Sequence, residues 1–208
     1  KTITKKSMNG IKTVNNSCGH LTIGSWNIRR GLFKKEPEIN RFIKKYNVDL
    51  LFLIETDKHL TLKNCRKYAG CEVHLPLPGP EASFKSRILL LDRKSPDWTV
   101  TTRHDLMSKG FSSIWAEIEI QGERVIVGSL YREWTDGNEN GSREAQRERL
   151  HIFFGQIEQA LLEKKKVLIV GDFNLDLTRI ESTNYAEKLL ATELRDFVES
   201  RGLDIVDV

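Results

Sequence analysis

Val167-Leu168-Ile169-Val170-Gly171-Asp172-Phe173-Asn174 sets four apolar residues directly ahead of a glycine, an acid and an amide. Four residues are few for a helix, and three of these four are β-branched, so 167–170 reads as a buried strand. The stretch before it, 143–163, places Leu150, Phe153, Phe154, Ile157, Leu161 and Leu162 on one helical face. A helix feeding a buried strand that ends in polar groups is the signature of an α/β domain with its ligand site at strand ends.

The same grammar extends in both directions. Residues 21–26, 50–54, 71–75, 87–92, 113–120 and 124–131 read as strands, the last two joined by the hairpin signal Gln121-Gly122-Glu123. Residues 36–46 read as a helix, with Pro37 in the first turn and Ile39, Phe42, Ile43 and Tyr46 at helical spacing. A last helix, 185–201, ends at Gly202, and 204–208 reads as the start of a further strand. Residues 1–19 read as a polar, flexible, basic lead-in and 20–208 as one domain with a mixed sheet. Residues 134–142 form a polar loop. No apolar run is long enough to span a bilayer, and residues 1–18 hold no apolar signal-peptide core. Three cysteines (Cys18, Cys65, Cys71) without a Cys-x-x-Cys pair argue against a disulfide scaffold or zinc ribbon and for a reducing, intracellular setting. The net charge of +4 favours a polyanionic partner only mildly.

Four strands end in residues that a packed sheet would not choose there: Asn27 after 21–26, Glu55 after 50–54, Tyr131-Arg132 after 125–130, and Asp172 with Asn174 after 167–170. Ligands of open α/β sheets collect beyond the carboxyl ends of strands, so these residues are candidates for one site. Glu55 and Asp172 are hard oxygen donors of the kind Mg²⁺ prefers, and Asn27 offers an amide oxygen. Arg132 carries a guanidinium fork that suits a phosphate. Taken singly, each has an ordinary explanation: Asn27 a turn residue, Glu55 a helix-terminal acid, Gly-Asp-Phe-Asn a plain turn.

Together, Ser25-Trp26-Asn27-Ile28-Arg29, Leu53-Ile54-Glu55-Thr56, Leu130-Tyr131-Arg132 and Ile169-Val170-Gly171-Asp172-Phe173-Asn174 resemble, in order and rough spacing, the endonuclease/exonuclease/phosphatase superfamily. Within it they look most like the apurinic-endonuclease-like domain of non-LTR retrotransposons. The resemblance implies a four-layer α/β/β/α sandwich of the DNase I-like type, here with its second sheet incomplete. It implies Mg²⁺ (or Mn²⁺) held by Glu55, with Asn27 supporting the metal or the neighbouring acidic network, a scissile phosphate met by Tyr131, a water oriented or deprotonated by Asp172, and a phosphate held by Asn174. Arg132 is the expected phosphate clamp. The activity implied is Mg²⁺-dependent nicking of DNA in the nucleus, priming a reverse-transcriptase domain of the same polyprotein. The alternatives are an abasic-site repair nuclease or a phosphodiesterase or phosphatase of the same superfamily, and an inactive DNA-binding or interaction module of this fold.

One family element is not found. The Ser-Asp-His string does not occur, and His20, His59, His74, His104 and His151 lie in other contexts. The resemblance therefore implies a C-terminally truncated domain, whose activity as 1–208 alone is doubtful. Trp98, Trp115 and Trp134 read as packing residues, Trp134 being the candidate for base stacking. Lys34-Lys35 and Lys44-Lys45 read as solvated helix-end charges, though the first pair lies just after Asn27, where it could meet a DNA backbone.

Overall fold

The computed structural model describes residues 2–5, 10–16, 19–57, 60, 68, 70–76, 87–109, 111–133, 143–177 and 185–207. In chain order the elements are β1 (Thr2–Lys5), β2 (Gly10–Asn16), β3 (Gly19–Asn27), α1 (Glu36–Tyr46), β4 (Leu50–Ile54), β5 (Glu72–His74), β6 (Ile88–Asp92), β7 (Trp98–Thr102), β8 (Ser113–Ile120), β9 (Glu123–Tyr131), α2 (Arg143–Leu162), β10 (Lys166–Asp172), α3 (Tyr185–Ser200) and β11 (Asp204–Asp207). The loop 134–142, with Trp134, lies outside the described residues, as do Cys18, His59 and Cys65.

Two mixed sheets form, ordered β2-β3-β4-β6-β5 and β11-β1-β10-β9-β8-β7. The five apolar residues of β4 are all buried because the strand has helix on one side and sheet on the other. Phe52 and Ile54 join a core with Ile114, Ile118 and Ile126 of the second sheet. Leu51 and Leu53 join Ile39, Phe42 and Ile43 of α1 instead. On the far side of the second sheet, α2 and α3 bring Leu150, Phe153, Ile157, Leu194 and Val198 into the larger core. The layers are thus α/β/β/α, with α1 outside one sheet and α2 and α3 outside the other. Trp115 is fully buried and donates from Nε1 to Gln156 Oε1 of α2 at 2.9 Å. Its ring covers Gly128, its neighbour on β9, where a Cβ would stand 2.5 Å away.

Two sequence expectations need correction, and one strand was not read from the sequence. Residues 1–19 are not simply a polar lead-in: β1 runs parallel between β10 and β11, and β2 pairs antiparallel with β3. Thr2-Ile3-Thr4 and the Thr13-Val14 pair suit extended backbone, and a ladder position overrides their polarity. Trp98–Thr102 is the strand not read from the sequence, although Trp98, Thr99, Val100 and Thr101 alternate apolar and polar and the apolar pair is the half-buried one. Residues 71–75 contribute only the three-residue strand Glu72–His74. Among the described residues, no helix is long and apolar enough to cross a membrane.

Candidate active site

β3 and β4 run parallel with Asn27 beside Ile54, and β10 and β9 run parallel with Asp172 beside Tyr131. The carboxyl ends of four strands, two from each sheet, therefore open onto one place. Asn27 joins the sheets there. Its Nδ2 donates to Glu55 Oε1 at 2.9 Å and to Asp172 Oδ2 at 3.0 Å, while its Oδ1 accepts the Arg29 N–H at 3.0 Å. One neutral amide thus holds two carboxylates close together across the seam between the sheets.

The backbone around this point is held in uncommon conformations. Glu55, Asn174, Arg29 and Arg30 have φ of 55°, 50°, 51° and 66°. Such left-handed positions cost non-glycine residues free energy and cluster where the surrounding structure enforces a functional geometry. Here the Arg30 N–H donates to Glu55 O at 2.7 Å, and Asp57 accepts the N–H groups of Gly31 at 3.3 Å and Leu32 at 2.8 Å. The 29–32 loop and the turn after β4 so fix each other, and Arg29 and Arg30 stay exposed beside Asn27. Gly171 has φ of 152°, and a Cβ there would stand 2.1 Å from Leu130 O, so the strand can turn only on glycine.

Asp172 is 8% exposed, with Oδ1 accepting the Asn174 N–H at 2.9 Å and Oδ2 accepting Asn27. Asn174 Nδ2 donates to Arg132 O at 2.7 Å; an amide carries a second N–H to offer. Tyr131 is 4% exposed, and burial and then the adjacent Glu55 charge push its phenol well above the ordinary range. It stays a neutral donor beside the Glu55 carboxylate.

One predicted role does not fit the geometry. Arg132 is 0% exposed and cannot clamp a substrate phosphate. Its guanidinium donates to Phe173 O at 2.6 Å, Asn174 O at 2.9 Å and Gln146 Oε1 of α2. Burial lowers its pKa to about 10, with Asp172 opposing the shift. The residue fastens the Asp172–Asn174 turn to the end of β9. Asn27 is placed to support the acidic network: its nitrogen donates to both acids and its oxygen accepts the Arg29 N–H. The opposite amide orientation would set the carboxylates against an oxygen and the Arg29 N–H against an NH₂ group. Lys35 is also turned inward, its Nζ donating to Ile28 O.

One residue of the site escaped the sequence reading. Arg87, 6% exposed, stands 3.7 Å from Glu55 Oε2, donates from Nε to Thr56 O at 3.3 Å, and lies 5.5 Å from the centre of the Tyr131 ring. It precedes β6, whose antiparallel register sets Ile88 opposite Ile54. No motif marks it; only the strand pairing brings it to Glu55.

Glu55 and Asp172 together are a hard, anionic oxygen pair, Glu55 being the more open with 22% of its side chain exposed. That donor chemistry fits a small divalent cation. A cluster of His, Asp and Glu that could hold a metal ion is also found elsewhere among the described residues, at Glu72, His74 and Asp92.

A two-sheet sandwich flanked by helices, with acids and amides gathered at its strand ends, is the DNase I-like architecture. The chain belongs to the endonuclease/exonuclease/phosphatase family, whose model matches residues 24–204. Members of this family are hydrolases that act on phosphodiester bonds. A search of the curated proteins gave no match. Among solved structures, the endonuclease domain of TRAS1, a telomere-specific non-LTR retrotransposon, is similar at 14% identity and TM-score 0.54, covering 84% of this chain and 69% of that one. An AP endonuclease from Archaeoglobus fulgidus is similar at 11% identity and TM-score 0.55, covering 85% and 70%. Humanized D. rerio TDP2 is similar at 15% identity and TM-score 0.51, covering 77% and 69%. At these identities the likeness shows the shared fold.

Proposed function

We propose that the protein is a Mg²⁺-dependent endonuclease that nicks one strand of DNA by hydrolysis, in the nucleus, to prime an attached or associated reverse transcriptase. The observation that carries this reading is the Asn27 amide bridging Glu55 and Asp172 across the two sheets. Hydrolysis of a phosphodiester needs an aimed water, neutralised phosphoryl oxygens and a stabilised leaving oxygen. Glu55, with Asp172 beside it, would hold the ion, and the ion's chemistry is to act as Lewis acid toward the phosphate. Asp172, oriented by Asn27 and by the Asn174 N–H, would hold and deprotonate the attacking water. Tyr131 keeps its proton and offers it to a phosphate oxygen once Glu55 is otherwise engaged. Asn174 offers its second amide N–H to the same group. Arg29 and Arg30, exposed beside Asn27 on a braced loop, supply positive charge where a nucleic-acid backbone would arrive. The similarity to a retrotransposon endonuclease domain and to an AP endonuclease supports DNA as the substrate.

The test is conversion of supercoiled plasmid to open circle by the intact protein. Nicking in Mg²⁺, its loss in chelator and its loss in Glu55→Gln are the expected results; cutting that is indifferent to metal would overturn the reading.

A further inference from the structure

The chain holds a second cluster of metal-ligating atoms that the nuclease chemistry does not use. Glu72 and His74 lie two apart on β5, with Glu72 opposite Asp92 of β6. One ligand atom from each of the three falls within 4.8 Å of the others. Arg87, which touches Glu55, precedes β6, and Asp92 ends it. Five residue steps of strand separate them, roughly 16 Å, so this cluster is remote from the carboxylate pair.

The side chains are arranged as ligands are. His74 Nδ1 is 3.0 Å from Thr102 Oγ1, which fixes the ring and leaves Nε2 pointing toward Asp92. That Nε2 is buried and has no hydrogen-bond partner among the described residues, and Asp92 Oδ2 is 3.8 Å away, too far for a hydrogen bond. Asp92, 5% exposed, is fixed in turn by Trp98 Nε1, which donates to Oδ1 at 3.1 Å and leaves Oδ2 toward the histidine. A buried imidazole nitrogen and a buried carboxylate oxygen, each oriented from behind and each facing a gap too wide for them to close, suit a shared cation. Glu72 closes the third side from the surface. Its partner is now Lys94 at 3.0 Å, and both side chains are exposed, so the pair yields readily.

We propose that Glu72, His74 and Asp92 form a structural site for a divalent transition ion of the zinc class. One imidazole and two carboxylates match the ligand types of Zn²⁺, whereas Mg²⁺ selects oxygen alone. The ion would fasten the three-residue edge strand β5 to β6. Through Thr102 and Trp98, both on β7, it would also tie the edge of one sheet to the edge of the other.

The test is titration of the protein with Zn²⁺ alone, by calorimetry, in excess Mg²⁺ so that the carboxylate pair at Asn27 is occupied. The expected result is one Zn²⁺ per chain with an accompanying rise in melting temperature. His74→Gln should weaken binding by at least about 100-fold. Thr102→Val, which removes only the group orienting the ring, should weaken it by about 10–100-fold. Glu72→Gln alters an exposed side chain and serves if His74→Gln does not fold; it too should weaken binding at least tenfold, as a ligand loss does. Absence of saturable Zn²⁺ binding, or parent-like affinity in Glu72→Gln and Thr102→Val, overturns the proposal.

Discussion

Arg132 and Asn174 hold each other twice: the guanidinium donates to Asn174 O at 2.9 Å, and the Asn174 amide donates to Arg132 O at 2.7 Å. The pair fixes the turn after Asp172 to the end of β9, so the acid at the centre of the site inherits its position from a residue that touches no solvent.

Arg132→Met should therefore act on stability and turn geometry, and not on phosphate affinity. It orphans the carbonyls of Phe173 and Asn174, and a buried unsatisfied acceptor costs about 1–3 kcal/mol. Urea unfolding should show a loss of that order or larger, while the slope of log DNA affinity against log salt stays at the parent value. Unchanged stability with a shallower slope would return Arg132 to the surface as a phosphate clamp.

Arg29→Ala with Arg30→Ala should do the reverse. These side chains are exposed beside the carboxylate pair, and each phosphate contact contributes about −0.9 to the log–log salt slope. Losing two contacts makes the slope shallower by about 2, read by fluorescence anisotropy across a salt series, with the melting temperature preserved. An unaltered slope would place the DNA on another face.

Gly171→Ala tests the strained turn. The added Cβ meets Leu130 O at 2.1 Å in a backbone conformation that L-residues avoid, so the neighbouring strands must separate. A loss of at least about 2 kcal/mol in unfolding free energy is expected. A variant as stable as the parent would mean that β9 and β10 are not in this register.

Acid sensitivity should concentrate where α2 meets β7 and β8. Glu163 accepts from Arg103 and from Lys165 at 2.8 Å, and Arg103 also reaches Glu117 at 3.0 Å. These hydrogen bonds lower the Glu163 pKa from 4.5 to about 2. A carboxylate whose folded pKa is depressed stabilises the protein above its unfolded pKa, and that contribution disappears as pH falls from about 4.5 to about 2. Glu163→Gln should thus be less stable than the parent at pH 7, the gap closing by about pH 2 in chemical denaturation at each pH. A gap of constant size across that range would remove the ion pairs from the account.

The sequence made the site's acids legible because chemistry was written at strand ends. Glu55, Tyr131, Asp172 and Asn174 each follow a run of apolar residues, and an acid or amide there has no packing reason to be present. What pattern alone could not supply was partnership. Arg87 precedes an ordinary apolar strand and becomes a neighbour of Glu55 only through the Ile54–Ile88 register. Arg132 has the right chemistry for phosphate, yet the pairing of Asp172 with Tyr131 and the cover of Gln146 turn it inward. Which of its two expected roles Asn27 takes turns on the orientation of its amide, and that is decided by its neighbours, here two carboxylates and one N–H. The same holds for the fold. Residues 143–162 announced their helix by period, whereas β1 owes its structure to a slot between β10 and β11 that no local property of Thr2–Lys5 reveals.

The central claim, that the carboxylates bridged by Asn27 carry out phosphodiester hydrolysis, is tested most directly by Asp172→Asn in the intact protein. Nicking of supercoiled plasmid in Mg²⁺ should fall by about 10²–10⁴-fold, the contribution of a positioned proton acceptor. DNA affinity should be kept or raised, because one negative charge beside the phosphate is gone. A variant that nicks at the parent rate would contradict the account and move the chemistry away from Asp172.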